Sequence, residues 1–167
     1  PQPHLTEDDI GYMLTPRINA ASRMGIPMEA FRLLSTNDIT LAGELAEYLH
    51  TINDERKGKV AAMVKEIKKH IAEREGNEGE MKKVLVIGNP NWKPALLGLV
   101  ATSLVEEHSR PVFLWGREDE STLKGSCRGD GNFSVLSIME ESGPALLQYG
   151  GHHMAGGYSV SHEKIHF

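Results

Sequence analysis

A single cysteine, Cys127, stands in 167 residues. No intramolecular disulfide is available, which fits a cytoplasmic protein. No apolar run approaches the roughly 18 residues of a membrane span. The opening Pro1-Gln2-Pro3-His4 lacks the basic start and apolar stretch of a signal peptide, and it lacks an initiating methionine, so a piece of a longer chain is expected. An excess of positive charge is missing too: the formal net charge is −5. That argues against non-specific coating of duplex DNA, which usually takes a basic protein, and still permits a local basic cleft. Repeats and low-complexity tracts are absent. With 40% hydrophobic residues the chain can bury one good core and a small extra lobe.

Three stretches differ in pattern. Residues 1–35 read as short helices around an irregular turn. Thr6-Glu7-Asp8-Asp9 is a helix start in which Thr6 caps and Asp9 answers three residues on. Leu14-Thr15-Pro16-Arg17 breaks that helix, because a residue before proline is pushed out of the α region. Residues 28–34 form a second short helix. Residues 37–75 look like one helix capped by Thr36 or Asn37, with apolar residues at steps of three and four from Ile39 to Ile71. Glu66 with His70 and Lys69 with Glu73 stand four apart on it. At about 1.5 Å per residue it would run roughly 60 Å, a length that typically joins two lobes, with Gly58 as a point of weakness. Gly76-Asn77-Glu78-Gly79-Glu80 ends it as a loop.

Residues 83–161 read as an α/β unit: strands over 83–88 and 111–115 about a helix over 94–108, then a strand over 121–128, a helix over 134–141 and a strand over 157–160. The β–α–β order predicts parallel neighbours.

The densest signal is Gly150-Gly151-His152-His153-Met154-Ala155-Gly156-Gly157. Glycine in an element interior costs about 0.5–1 kcal/mol relative to alanine, and four are accepted where backbone must approach something closely. Phosphate is the usual partner of bare N–H groups and a histidine, so the segment reads as a phosphodiester-binding loop. Lys124-Gly125-Ser126-Cys127-Arg128-Gly129-Asp130-Gly131 ends a strand where α/β ligands commonly sit, so Ser126 and Arg128 are phosphate candidates; a turn with Arg128 in solvent is the alternative. Arg17, Asn19 and Arg23 lie on an irregular segment rich in small residues, either as phosphate forks or as a loop satisfying its own backbone. Trp92 either packs or stacks on a base. Cys127 has no activating histidine nearby and reads as structural. His152, His153, His162 and His166 lack the companion carboxylates of a metal motif, and Glu106-Glu107 and Glu140-Glu141 read as solvated helix faces, so no metal site is expected here.

In this order the segments resemble the RecJ family of single-stranded-DNA-specific exonucleases, in the DHH phosphoesterase superfamily. The matching residues are Pro16-Arg17-Ile18-Asn19-Ala20-Ala21-Ser22-Arg23-Met24-Gly25, Trp92 with Gly98-Leu99-Val100-Ala101, Arg110-Pro111-Val112, Gly125-Ser126-Cys127-Arg128, and the glycine–histidine motif. The family usually has Gly-Arg where this chain has Ser22-Arg23. It commonly reads Gly-Ser-Gly-Arg-Ser where this chain ends in Cys127-Arg128-Gly129, which drops one ligand hydrogen bond.

The resemblance implies an α/β fold: a helical junction over 1–35, a long connecting helix over 36–79, and over 80–167 a small mixed α/β DHH-associated domain, its central sheet flanked by helices. It implies the substrate-binding part of a 5′ exonuclease of DNA repair and recombination. Arg128, His152, Ser126, Gly150, Gly151 and Gly156 would hold phosphate, and Arg17, Asn19 and Arg23 would shape the junction or touch DNA. No catalytic residue falls in this chain. The Asp-His-His lobe that holds Mn²⁺ or Mg²⁺ would be a missing part of the same protein, with single-stranded DNA as the other partner and no membrane. Two alternatives stand: a phosphodiesterase for short oligonucleotides or cyclic dinucleotides, and a non-enzymatic nucleic-acid-binding module.

Overall fold

A computed structural model describes the backbone of residues 4–78 and 82–165, and the side chains of 4–74 and 82–165. The chain forms two compact units, residues 1–59 and 60–167.

The first unit is helical. Thr6 and Asp9 form the expected reciprocal cap: the Thr6 N–H and hydroxyl donate to Asp9 Oδ2 at 2.9 and 2.7 Å, and the Asp9 N–H donates to Thr6 Oγ1 at 3.3 Å. A π-helical stretch, Asp9–Leu14, then runs directly into α1, Thr15–Met24. The break expected at Leu14-Thr15-Pro16-Arg17 is absent. The wide turn lets the Thr15 N–H reach back five residues to the Ile10 carbonyl, and Pro16 falls in the first turn of α1, where no N–H is required. Residues 16–24 are therefore helical rather than irregular. Their small residues serve packing: Ala20 and Ala21 are fully buried, and Ala21 meets Ala30 of α2 (Pro27–Ser35) and Leu49 of α3 (Ile39–Glu78). Gly25 ends α1 at φ 91°, a left-handed cap.

The cap of α3 is Asp38, in place of Thr36 or Asn37: its Oδ1 accepts from the N–H of Thr40 at 2.9 Å and of Leu41 at 3.2 Å. Thr36 Oγ1 instead accepts from the Asp38 N–H at 3.1 Å and so orders the cap. The helix passes unbroken through Gly58 and includes Gly76, Asn77 and Glu78 in place of the expected loop; Gly79 and Glu80 lie outside the described residues.

The second unit takes up α3 from Val60 and adds a five-stranded sheet in the order β1-β2-β3-β5-β4. The strands are β1 (Leu85–Gly88), β2 (Val112–Arg117), β3 (Thr122–Arg128), β4 (Gln148–His152) and β5 (Ala155–Ser161). β1 and β2 are parallel, joined through α4 (Pro94–His108); the other pairs are antiparallel. One face of the sheet packs Leu85, Ile87, Val112 and Leu114 against α4 and against Met63, Ile67 and Ile71 of α3. The opposite face packs Phe113, Cys127 and Tyr158 against Val135 and Met139 of α5 (Val135–Glu141), which Ser134 caps by accepting from the Ser137 N–H. This is the expected mixed α/β architecture, its central sheet flanked by helices.

Candidate functional site

The glycine–histidine motif is a β-hairpin and not a loop: Gly150, Gly151 and His152 belong to β4, Ala155, Gly156 and Gly157 to β5, and His153-Met154 form the turn. Pairing explains how a glycine-rich segment stays extended. The hairpin is zipped onto β3 along its whole length, from Thr122↔Ser161 to Arg128↔Ala155. Directly paired residues share a face of a sheet. Arg128, Ala155 and His152 therefore stand abreast on one face, and Ser126, Gly157 and Gly150 form the next row. With strands about 4.8 Å apart, Arg128 and His152 flank a gap of roughly 10 Å floored by Ala155.

Arg128 is held before any ligand arrives. Its Nη1 donates to the Cys127 carbonyl at 2.7 Å and to Ser126 Oγ at 3.3 Å. Its guanidinium lies against α4, where a Cβ at Gly98 would come within 2.7 Å of Nη2. Gly98 is thus the residue that lets the helix pass over an arginine. His152 is exposed, and its Nδ1 accepts the Met154 N–H at 3.3 Å. That bond assigns the neutral ring's proton to Nε2, a donor facing solvent. His153 serves the scaffold: its Nε2 lies 3.2 Å from the Gly131 carbonyl, and its own carbonyl accepts the Val135 N–H at 3.0 Å.

The four glycines divide by cause. Gly151 has φ 153°, and a Cβ there would lie 2.3 Å from the Ala155 carbonyl oxygen. At Gly156 a Cβ would meet Met139 Cε at 2.5 Å and the Gly150 oxygen at 2.9 Å. Packing alone accounts for both. Gly150 has nothing within 4 Å, and Gly157 has only the Gly125 oxygen, at 3.7 Å. These two lie on the Arg128 face, bare where the described residues leave room for a side chain. Gly157 lies in the glycine–histidine motif, and strand parity adds it to the candidate residues on this face.

Arg17, Asn19 and Arg23 belong to the first unit, on α1. Arg17 Nη1 donates to the Met13 carbonyl and Nη2 lies 3.1 Å from His50 Nδ1. Asn19 is exposed and Arg23 half-buried. Arg56 on α3 went unnoticed in the sequence. Its Nη2 donates to the buried Asn53 Oδ1 at 3.0 Å, and burial, then the charge of Arg23, lowers its pKa.

Other candidates resolve as structure. Trp92 is buried and its Nε1 donates to Glu66 Oε2 at 3.2 Å, so it packs. Glu66 also accepts from Asn89 Nδ2 at 3.0 Å, which takes it from the expected partner His70, whereas Lys69 and Glu73 do pair, at 3.8 Å. Cys127 is buried, and burial pushes its thiol up to about 11, so it is no nucleophile at neutral pH. Among the described residues no three His, Cys, Asp or Glu side chains gather as a metal site. His166 lies outside the described residues.

Residues 81–166 match the DHHA1 domain family. The chain is 31% identical over 160 residues to the single-stranded-DNA-specific exonuclease RecJ of Bacillus subtilis (strain 168), covering 95% of this chain and 20% of the relative. To the protein of the same name from Thermus thermophilus it is 33% identical over 152 residues, 91% of this chain and 21% of the relative. A crystal structure of RecJ from Thermus thermophilus in complex with Mn²⁺ matches with a TM-score of 0.77 at 32% identity, over 91% of this chain and 22% of the other. Its complex with Mg²⁺ gives 0.76 at 31%, over 91% and 23%. The chain thus spans about a fifth of the length of these relatives.

Proposed function

This chain belongs to the DHHA1 domain family, and on that premise we propose that it is the substrate-binding part of a metal-dependent single-stranded-DNA 5′ exonuclease acting in cytoplasmic DNA repair and recombination. The metal-holding lobe would be another part of the same protein. The single-stranded-DNA-specific exonuclease activity for which the relatives are named, and the Mg²⁺ and Mn²⁺ in the matching crystal structures, support the reaction class. The observation that carries the binding role is the row Arg128–Ala155–His152 beside two glycines that the fold itself leaves open.

These residues bind and orient. Arg128 offers a permanent positive fork at the end of the central strand β3, and His152 offers Nε2–H from the edge strand β4. Gly150 and Gly157 let a phosphate and its sugar reach the strand backbone. Each charge-assisted contact is worth about 1.5–3 kcal/mol, enough to fix a phosphate and not to cleave it. Hydrolysis falls to the other lobe, so the chain alone is expected to bind and to be inactive. The test follows nucleotide release from a labelled single strand with highly pure chain, Mn²⁺ present, beside binding of single strand, duplex and dinucleotide. Binding that favours the single strand with no release is the expected result. Release abolished by Arg128→Ala would overturn the division of labour, and preference for the dinucleotide would move the substrate to short oligonucleotides.

A further inference from the structure

Two residues back along β3 from Ser126, the same face carries a third row: Lys124, Ser159 and Gln148, paired in register across β3, β5 and β4. This row lines a concavity of about 340 Å³ that Gly157 also borders. Gly157 pairs with Ser126, so the concavity ends one row short of Arg128 on the same face. Lys124 stands four residues from Arg128, about 14 Å at roughly 3.4 Å per residue, which is farther than one nucleotide reaches. Its Nζ pairs with Glu118 Oε1 at 2.9 Å, with side chains 53% and 42% exposed. An exchangeable surface pair of that kind contributes little, and an incoming phosphate can replace the carboxylate. Lysine is a compact point charge on a flexible stem, suited to a diester that presents no fixed fork geometry. Gln148 and Ser159 add an amide and a hydroxyl beside it.

We infer that Lys124, Ser159 and Gln148 form a second subsite in the trough, taking an internal phosphodiester of a strand whose terminal phosphate lies between Arg128 and His152. The inference rests on the function proposed above. It makes the trough a length reader: a dinucleotide fills the first rows only, and a longer strand also engages Lys124.

The test is fluorescence titration of the full chain with 5′-phosphorylated deoxyoligonucleotides of two and eight nucleotides, at several salt concentrations. Lys124→Gln is expected to weaken the octamer about 3- to 10-fold, to lower its salt slope by about 0.7, and to leave the dinucleotide unchanged. Glu118→Gln, which frees Lys124, is expected to tighten the octamer only. Melting temperatures of both variants should match the wild type, since both side chains are largely exposed. Equal loss for both lengths, or an octamer indifferent to Lys124→Gln and Glu118→Gln, would overturn the subsite. If Arg128→Ala abolishes binding while Lys124→Gln does nothing, the subsite alone falls. If the wild type binds neither strand at any salt, the proposed function falls with it.

Discussion

At the scale of single residues, Gly150 and Gly156 are the same amino acid kept for different reasons. A Cβ at Gly156 would press on Met139 and on the neighbouring strand, whereas one at Gly150 would enter open space. Gly156→Ala should therefore cost about 1–3 kcal/mol of stability through overpacking, read as a lower denaturant midpoint. Gly150→Ala, unstrained and in open space, should leave the midpoint unchanged or raise it slightly and lose affinity for a phosphorylated strand. Equal stability losses for both would contradict the division. Cys127 makes a separate prediction. Its thiol is protonated in the fold and rises from an ordinary value of 9.0 to about 11. Unfolding releases that proton more readily, so its contribution is complete below pH 9 and is lost as pH climbs from about 9 to about 11. The melting-temperature advantage of wild type over Cys127→Ala should shrink across that window, and a constant difference would show that the thiol does not titrate as described. The sequence could not divide the glycines, because face assignment needs a strand register. Arg128 and His152 were legible as candidates because one ends a strand in a glycine-rich turn and the other lies among four glycines.

At the scale of elements, what was legible followed hydrophobic period and capping chemistry, and what was missed depended on partners distant in sequence. The helix over Pro94–His108 has a run of apolar residues at helical steps between Pro94 at its start and Ser109 after its end, and it appears with the limits read from the sequence. The cap at Thr6 and Asp9 is local and was legible too. Pro16 misled because its effect depends on hydrogen-bond register: a π-helical turn before it removes the conflict that would break an ordinary helix. The hairpin misled because glycine strands gain their order from β3 rather than from themselves. Glu66 shows the same limit, since the spacing to His70 is visible in sequence and the carboxylate is used by Asn89 and Trp92. Glu66 anchors the turn that leads into α4, the helix lying on Arg128. Glu66→Ala should strip the acceptor from a buried indole N–H and cost about 1–3 kcal/mol. Glu66→Gln, which keeps one acceptor oxygen, should fall between the two in thermal melts. Equal melting temperatures for all three would remove Glu66 from the scaffold.

At the scale of the whole molecule, a net charge of −5 coexists with one face of a sheet that gathers Lys124, Arg128 and His152 around bare backbone. Composition argued against a basic duplex-coating protein and left room for a local cleft, which the proposed function sets over β3, β5 and β4. None of the described helices is long and apolar enough to cross a membrane. The chain spans about a fifth of its Bacillus and Thermus relatives. The decisive experiment is titration of a fluorescent 5′-phosphorylated single strand, at low and moderate salt, with wild type and with the Arg128→Ala/His152→Ala double variant. A phosphate clamp on this face requires salt-sensitive binding by the wild type, weakened at least about tenfold in the double variant at an unchanged melting temperature. Equal affinity in the two proteins would contradict the claim that this face is the phosphate clamp.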